Sequence, residues 1–425
     1  IFWKLIRAFQ EYGSKEKLHD NAVEHLFELY VKITSESEKD ENLEQEFRNT
    51  FKKLSEGDTE LVKLWDDFTR YSIDAMNIQL ARLNVFTDYN IGESFYEGIG
   101  LPKMEDYPDM KYSMKDVVQE LIKKKIAIQN DDGSVGVEFP EDTKISSCIL
   151  QKRDGTHGYL ASDLACIKYR MENWNPDSIK YFVDARQQLH LKQAFYIAHT
   201  AWWTQRNWQT DTELFHAYNG FITLKDGAMS TRKWKIIKLE ALLDEAEERA
   251  ATIIIEKRDD ITGKELEKLS KIIGIWAIKY GYLKKTRESD VVFDWEDFMT
   301  FEWNSGPYIQ YAYVRARNIL EKAWNTLSFS DISAQDISAE LSHLINLLMQ
   351  HDEYVQKVIE ESHPHILAWY CFDLAKAFNS VYNNETILWE TDNWVKDFKL
   401  LVLSEYTKTL KKSFEILGID MPEKM

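Results

Sequence analysis

The residues from Asp226 to Lys235 combine the groups that bind polyphosphate. Their sequence is Asp-Gly-Ala-Met-Ser-Thr-Arg-Lys-Trp-Lys, a glycine turn with two hydroxyl residues followed by three cations within four positions. Hydroxyls and backbone N–H groups donate to phosphate oxygens, and Arg232 and Lys233 can neutralise charge that develops during phosphoryl or nucleotidyl transfer. The segment predicts a phosphate-binding loop; taken alone, an ordinary basic surface turn is the alternative.

A tyrosine and a carboxylate four residues apart form a second candidate site. Tyr159 and Asp163 lie on a predicted helix that follows a polar turn at 154–156, so they share one helix face. An aspartate binds a planar guanidinium through two parallel hydrogen bonds, and a tyrosine hydroxyl adds a directed one. The pair predicts a guanidinium or ammonium receptor. A helix-capping aspartate beside a half-buried tyrosine is the alternative.

A polar cluster follows the strand that we predict at 179–183. Residues 184–190, of sequence Asp-Ala-Arg-Gln-Gln-Leu-His, come directly after it. In open α/β sheets, ligands bind beyond the carboxyl ends of the strands. Gln187 is therefore a candidate for fixing a substrate, and His190 for contacting a nucleotide. A purely structural role for His190 is the alternative.

An aromatic-rich segment near residue 306 indicates binding by stacking and not catalysis. A Gly306-Pro307 turn opens a predicted helix on which Tyr308, Tyr311 and Arg315 follow one another at helical spacing. Unpaired bases stack on aromatic rings, while arginine binds phosphate. The stripe predicts contact with RNA, and a helix core is the alternative.

The elements that must position these residues change character along the chain. Residues 4–84 show helical spacing of apolar residues, with a charged, exposed arm at 35–60. From about 85 to 225, short strands alternate with helices, which predicts a parallel, doubly wound sheet. The predicted strands are 135–139, 147–150 and 179–183, and the predicted helices are 159–170 and about 189–201. From 239 the pattern is helical to the end, and the part after about 301 predicts a separate all-helical bundle.

Composition limits the class of protein. The chain has 425 residues, of which 44% are hydrophobic and 29% charged, as expected for a globular protein. No apolar run approaches the roughly 18 residues that cross a membrane. Three scattered cysteines suit a reducing compartment. The net charge of −18 argues against a nucleic-acid surface over the whole chain but permits a local basic face.

Together, and in this order, these blocks resemble the arginyl-tRNA synthetases, a family of class I aminoacyl-tRNA synthetases. Residues 90–96 and 421–425 resemble the family as well. The resemblance covers essentially the whole chain, and the motifs are jointly specific. The matching motifs are Asp154-Gly155-Thr156 with Tyr159-Leu160 and Asp163, then Ala185 to His190, Met229 to Lys233, and Gly306 to Ala312.

The resemblance implies a partial class I Rossmann-type nucleotide-binding domain followed by a C-terminal α-helical anticodon-binding bundle. The implied domains are a helical insertion in the catalytic domain at 1–84, the second half of the Rossmann-type catalytic domain at 85–238, a helical connecting region that contacts the tRNA stem at 239–300, and the anticodon-binding domain at 301–425. The HIGH-type motif, which lies upstream in the family, is missing from this sequence. We therefore expect an N-terminally truncated chain that does not form arginyl-adenylate alone.

The resemblance also implies a role for each motif. Arginine would be held by Tyr159, Asp163 and Gln187. ATP would be bound by His190, Met229, Ser230, Thr231, Arg232 and Lys233, with Ser230, Arg232 and Lys233 as the catalytic residues. The tRNA-binding residues would be Tyr308, Gln310, Tyr311 and Arg315.

The implied function is that of an arginine–tRNA ligase. Arginine and ATP would give arginyl-adenylate, and transfer to tRNA(Arg) would follow, with AMP and pyrophosphate as products. We expect ATP with Mg²⁺ as substrate, no protein-bound metal, no membrane partner, and a monomeric, cytoplasmic protein. The alternative is a non-catalytic tRNA- or protein-binding module derived from a synthetase.

Tryptophan stands at several positions where the family has glycine. The chain has 14 Trp and 16 Gly, whereas typical usage gives about 30 glycines at this length. We hypothesise that an opal codon meaning glycine in the source was translated as tryptophan; a divergent, Trp-rich homologue is the alternative. Trp234 would put an indole where the phosphate loop needs glycine. The affected positions are Trp3, Trp234, Trp276, Trp303 and one of Trp202 and Trp203.

Overall fold

The chain folds into two units, each with its own core. In the computed structural model, unit 1 comprises Ile1–Ile78 and Phe86–Ala217, and unit 2 comprises Gln79–Val85 and Tyr218–Met425. The domain limits implied by the family at 84, 238 and 300 stay a prediction. The structure describes residues 2–55, 57–97, 107–207, 210–224, 227–228, 238–300, 304–323 and 337–422.

The elements up to residue 217 are helical at first and mixed afterwards. They include a 3₁₀ turn at Glu141–Thr143 and another at Ala185–Gln187. In chain order the helices and strands are α1 (Phe2–Tyr12), α2 (Lys15–Asp20), α3 (Ala22–Ser37), α4 (Glu41–Ser55), α5 (Thr59–Arg82), α6 (Glu93–Glu97), α7 (Met114–Lys123), β1 (Ile128–Gln129), β2 (Val135–Val137), β3 (Cys148–Gln151), α8 (Tyr159–Trp174), β4 (Ser178–Tyr181), α9 (Gln188–Thr200) and β5 (Glu213–His216).

The first five helices bury the apolar stripe that the sequence places on them. Leu5 and Phe9 of α1 lie in one core with Ile33 of α3 and Phe68 of α5. The rings of Phe9 and Phe68 meet edge to face, with centroids 5.2 Å apart. The charged arm predicted at 35–60 includes α4, which buries Phe47 in the same core. The helical interpretation of this region is confirmed.

The mixed part of unit 1 contains one parallel strand pair. β4 and β5 run parallel, with Ser178 opposite Glu213 and Tyr181 opposite His216. Helices α8 and α9 lie close to the predicted ranges, and α8 is buried along most of its length. The strands predicted near 135 and 148 pair antiparallel instead of parallel. The connection at 138–147 is shorter than the dozen or so residues that a parallel crossover requires.

Unit 2 joins a small sheet to a helical bundle. Its sheet has the order β7-β6-β8, with β6 antiparallel to β7 and parallel to β8. In chain order its elements are β6 (Ile222–Leu224), β7 (Gly227–Ala228), α10 (Leu239–Lys257), α11 (Gly263–Leu283), β8 (Val291–Phe293), α12 (Trp295–Met299), α13 (Gly306–Ala323), α14 (Ala339–Met349), α15 (His351–Glu361), α16 (Pro364–Asn384) and α17 (Asn393–Ile416).

The bundle buries large aromatic residues between its helices. Phe378 of α16 and Tyr406 of α17 stack with ring centroids 4.8 Å apart. Trp276 of α11 meets Phe414 of α17 edge to face at 4.7 Å. Such pairs add to the free energy of burial. The all-helical bundle predicted after about 301 is confirmed, but the helical pattern predicted from 239 is interrupted by β8, which extends the sheet beside β6. Within the described ranges, no helix is both long and apolar enough to cross a membrane.

Candidate functional site

A tight turn sets the start of α8 and therefore the position of Tyr159. The Asp154 carboxylate accepts hydrogen bonds from the Thr156 N–H at 3.0 Å and from its hydroxyl at 2.6 Å. These bonds lower the pKa of Asp154. Gly155 has φ +83°, a left-handed conformation that favours glycine. The helix then begins at Tyr159, whose side chain is 69% exposed.

The side chains of Asp163 in α8 and His190 in α9 are in direct contact. Asp163 lies one turn into α8, and His190 lies in the first turn of α9. The Asp163 Oδ2 is 2.5 Å from His190 Nε2, and both side chains are 30% exposed. Sequence reasoning had placed these two residues with different substrates, arginine and ATP. Their contact indicates that His190 holds one oxygen of the carboxylate.

Gln187 lies at the end of the 3₁₀ turn that leads into α9. Asp184 caps this turn by accepting from the Arg186 N–H at 2.7 Å, and the Arg186 side chain folds back onto the same carboxylate. These hydrogen bonds lower the pKa of Asp184. The Gln187 side chain is exposed. The turn thus leaves Gln187 open to solvent in the same short segment that positions His190.

A groove of about 590 Å³ borders Tyr159 within unit 1. Its lining includes Gly92, which belongs to the 90–96 motif, and His157. Burial lowers the pKa of His157, and within the described part of the chain its Nε2 has no hydrogen-bond partner. No periodic pattern in the sequence singles out His157. The lining also has an aromatic part, which includes Phe2, Trp3, Phe47, Phe51 and Trp65.

The phosphate-loop candidates lie outside the described residues. Met229, Ser230, Thr231, Arg232 and Lys233 all belong to this undescribed segment, as does Trp234. The structure does describe the strands that lead into the segment. β6 pairs with β7 through Thr223 opposite Ala228, and β7 ends at Ala228. Met229, the first of these candidates, therefore follows a paired strand directly in the sequence.

An arginine between two tyrosines marks the surface shared by α13 and α16. The Arg315 guanidinium lies 4.5 Å from the Tyr311 ring centroid and 4.3 Å from that of Tyr382. Its Nη1 donates to Asn379 Oδ1 at 3.3 Å, and Asn379 Nδ2 donates to the Tyr308 hydroxyl at 2.9 Å. We call these five residues the α13–α16 face. Tyr311 and Tyr382 are 51% and 40% exposed.

Sequence reasoning found one half of this face. It identified Tyr308, Tyr311 and Arg315 from their spacing on α13 but missed Asn379 and Tyr382. Those two residues lie one turn apart on α16, which a search for helical spacing could have found, but nothing local shows which helix packs beside α13.

Gln310 lies inside the bundle and not on the α13–α16 face. Its side chain is fully buried, and neither its amide oxygen nor its amide nitrogen has a hydrogen-bond partner among the described residues. The spacing that puts Tyr308 and Tyr311 towards the surface turns Ile309 and Gln310, which lie between them in the sequence, inwards. In this conformation Gln310 cannot contact a bound macromolecule.

Three of the unusual positions lie among the described residues: Trp3, Trp276 and the pair Trp202 and Trp203. Trp3 packs against Phe51, with ring centroids 4.9 Å apart. Trp276 is 1% exposed, and its indole Nε1 lacks a hydrogen-bond partner in the part of the chain that the structure describes. Trp202 has φ +64° just after α9, where its N–H donates to the His199 carbonyl at 3.0 Å. Helices commonly end with glycine in this left-handed conformation. Trp203 is buried and its indole donates to Glu120 at 2.8 Å, so Trp202 is the glycine-like position of the two. Trp303 lies outside the described residues.

Comparisons with known proteins give consistent family matches. Residues 1–295 match the family described as tRNA synthetases class I (R), catalytic domain. Residues 309–425 match the DALR anticodon binding domain. The chain is 36% identical over 426 residues to an arginine–tRNA ligase of Fusobacterium nucleatum, covering 100% of this chain and 71% of that protein. It is 34% identical over 424 residues to one from Clostridium botulinum, with the same coverage.

Solved structures with a similar fold belong to the same class of proteins. Arginyl-tRNA synthetase from Plasmodium falciparum gives a TM-score of 0.78 at 22% identity, over 100% of this chain and 68% of that one. The Thermus thermophilus arginyl-tRNA synthetase gives 0.77 at 20% identity, over 100% and 74%. At these identities the likeness concerns the fold.

Proposed function

The chain belongs to the arginyl-tRNA synthetase family, and we propose that Asp163, Tyr159 and Gln187 bind the arginine side chain in its ligase reaction. The function is that of an arginine–tRNA ligase, an enzyme that joins arginine to tRNA with ATP as substrate. The contact between Asp163 and His190 carries the proposal, because it presents a fixed, half-exposed carboxylate beside an exposed tyrosine.

The geometry supports recognition of a guanidinium. A planar guanidinium has five N–H donors and pairs with a carboxylate in a fixed direction. His190 restrains the carboxylate of Asp163, which lowers the conformational freedom that binding would otherwise remove. The Tyr159 hydroxyl and the Gln187 amide add directed acceptors. A site that pairs its polar groups with a guanidinium rejects a side chain that leaves those groups unpaired.

The chemical steps follow from the substrates. The arginine carboxylate attacks the α-phosphorus of ATP and expels pyrophosphate, and a tRNA hydroxyl then attacks the adenylate carbonyl and releases AMP. We assign ATP-phosphate binding to Met229 through Lys233, with Ser230, Arg232 and Lys233 stabilising the charge of the transition state. This assignment rests on the sequence and the family. His190 is also the family's candidate for ATP contact, but its bond to Asp163 favours a role at arginine.

The α13–α16 face is the proposed contact for the tRNA anticodon arm. Exposed Tyr311 and Tyr382 offer rings for unpaired bases, and Arg315 offers a cation between them. Binding of Mg²⁺ with ATP, a monomeric state and a cytoplasmic location are further proposals that rest on the family resemblance.

Filter binding with tRNA(Arg) transcripts over a range of salt concentrations tests the proposed contact between tRNA and the α13–α16 face. If Arg315 reaches a phosphate, Arg315→Met should reduce the slope of log K against log salt by about 1. Arg317→Met is the matched control, because Arg317 lies on the same helix and pairs with Glu321 at 3.0 Å. Binding of tRNA without binding of arginine would support the non-catalytic module instead. Absence of a salt slope would overturn the tRNA assignment.

A further inference from the structure

Asn219 and Gly220 form the only Asn-Gly pair in the sequence. Once solvent removes its proton, the glycine nitrogen of such a pair can attack the side-chain amide carbon of the asparagine, because glycine has no Cβ to hinder the approach. A new N–C bond forms, the bond to the side-chain nitrogen breaks, and ammonia leaves. Water then opens the resulting five-membered imide and gives aspartate or isoaspartate. Asn219 is exposed, so solvent has access to both steps.

The nitrogen that would attack is held in the folded chain. The Gly220 N–H donates to the Arg287 carbonyl at 2.9 Å, which shares its proton and fixes its direction. A Cβ on Gly220 would lie 2.3 Å from the Ser289 carbonyl oxygen, so the two backbones are in close contact. The Asn219 Nδ2 donates to the Gly220 carbonyl at 3.2 Å. This bond restrains the amide group that must turn towards the nitrogen.

Neighbouring contacts hold the same segment on both sides of the Asn-Gly pair. On one side, the Arg287 Nη1 donates to the Tyr218 carbonyl. On the other, the Phe221 N–H donates to Asp290 Oδ1 at 2.7 Å, and the parallel pairing of β6 with β8 continues the contact. Residues 218–221 are therefore fastened at both ends.

The isoaspartate product does not fit back into these contacts. Isoaspartate carries the main chain through its side-chain carbon, which lengthens the backbone by one methylene. The close contact between Gly220 and Ser289 leaves no room for a single added carbon. A longer backbone at this point cannot regain the same contacts, so isoaspartate keeps the segment open.

We propose that Asn219 is a deamidation site that the contacts with 287–290 keep closed, and that reacts when residues 218–221 open. The inference is independent of the proposed function. Deamidation is far slower than the opening and closing of a local segment, so its rate follows the population of the open form. Conversion to isoaspartate then traps that form. The site acts as a one-way record of local opening in unit 2.

Mass spectrometry of the full chain, incubated in heavy-oxygen water at mildly alkaline pH, measures the reaction at Asn219. Each conversion incorporates one oxygen atom from water. We expect the folded chain to react roughly 10- to 1,000-fold more slowly than the chain unfolded in urea. The reason is that three hydrogen bonds, from Gly220, Phe221 and Arg287, must break first, and each contributes about 2- to 12-fold.

Asp290→Ala tests the contacts in the folded chain. It removes the acceptor of the Phe221 N–H and should raise the rate at Asn219 by about 2- to 12-fold. Asp260→Ala is the matched control, because the Asp260 carboxylate pairs with Arg258 at 2.7 Å in the connection between α10 and α11. This control should react at the rate of the parent chain.

The trapping step has its own measurement. Amide hydrogen exchange at 222–224 should be faster in the isoaspartate form than in the unmodified protein, because residues 218–221 no longer fasten the start of β6. Asn219→Asp adds the same charge without lengthening the backbone and should exchange like the parent chain. Equal exchange in the isoaspartate form would overturn the trapping.

Each outcome at Asn219 supports or overturns the proposal. Slow reaction in the folded chain, fast reaction in urea and a faster rate in Asp290→Ala alone support it. Equal rates in the folded and unfolded parent chain overturn it, as do absence of reaction in urea and equal rates in Asp290→Ala and Asp260→Ala. If Asp290→Ala does not fold, Arg287→Met replaces it. If neither folds, the parent chain decides: a rate that rises only with global unfolding in urea contradicts local opening.

Discussion

The proposed arginine site and the α13–α16 face are built in opposite ways. Asp163 and Tyr159 are partly exposed residues on the first turns of α8, and the polar partner of Asp163 is His190. Arg315 and Tyr308 instead share a hydrogen-bond network with Asn379, above a core that includes Phe378. In the first region, we expect that function can be removed with little effect on the fold. In the second, Arg315 and Tyr308 also hold α13 and α16 together through Asn379, whereas we expect the exposed Tyr311 to serve binding alone.

The largest expected effect is the loss of stability when a core ring beneath the α13–α16 face is removed. Phe378 is fully buried against Tyr406 and lies 6.1 Å from the Tyr382 ring. Phe378→Ala should lower the free energy of opening of α16 by about 3–5 kcal/mol, the usual cost of removing a buried ring. Native-state hydrogen exchange of the α16 amides measures this change.

Tyr311→Ala is the control for that experiment. Tyr311 is 51% exposed, so its loss should change the stability of the bundle by less than about 0.5 kcal/mol and weaken tRNA binding by about 1–3 kcal/mol if a base stacks on it. Equal effects of the two variants on stability would show that the face and the core are not separate.

A substitution of Trp202, in unit 1, should change the stability by a smaller amount and in the opposite direction, as a gain. Trp202→Gly should stabilise the protein by about 1–2 kcal/mol, because a left-handed conformation costs an L-residue about that much. Trp203→Gly should destabilise it, because Trp203 is buried and hydrogen-bonded to Glu120. Urea unfolding followed by circular dichroism compares the two. Destabilisation by Trp202→Gly would refute the glycine-like assignment of this position.

The local sequence predicts the elements better than it predicts their contacts. Helical spacing placed α8 and α9 within a few residues of their observed limits, because i, i+4 periodicity is a local property. The contact between Asp163 and His190 joins two helices, and nothing in either segment specifies it. Burial of Gln310 was missed for the same reason, since its tyrosine neighbours suggested a surface. The strands predicted near 135 and 148, as part of a parallel sheet, pair antiparallel because the connection between them is too short for a parallel crossover.

The smallest expected effect is the loss of stability in acid that arises from His157, in the groove beside Tyr159. Burial, and to a lesser degree the charge of Lys115, lowers the pKa of His157. The folded state therefore disfavours protonation, so stability is complete above the unfolded pKa of about 6.5 and falls as pH drops towards the folded pKa. His157→Gln should reduce this loss in melting curves between pH 7 and 5.

The exposed His19 provides the control for the pH experiment. Its side chain is 84% exposed, so His19→Gln should leave the pH dependence of melting as it is in the parent chain. An identical response of the two variants would mean that the burial of His157 does not matter to acid stability.

The central claim is that Asp163 recognises the guanidinium of arginine. Calorimetry of arginine and of citrulline, its uncharged analogue, with the parent chain and with Asp163→Asn tests it directly. A hydrogen bond to a charged group contributes about 1.5–3 kcal/mol, so the variant should bind arginine roughly 10- to 150-fold more weakly and citrulline nearly unchanged. Asp184→Asn, whose carboxylate is held by Arg186, should keep the preference for arginine. Full arginine affinity in Asp163→Asn would contradict the account.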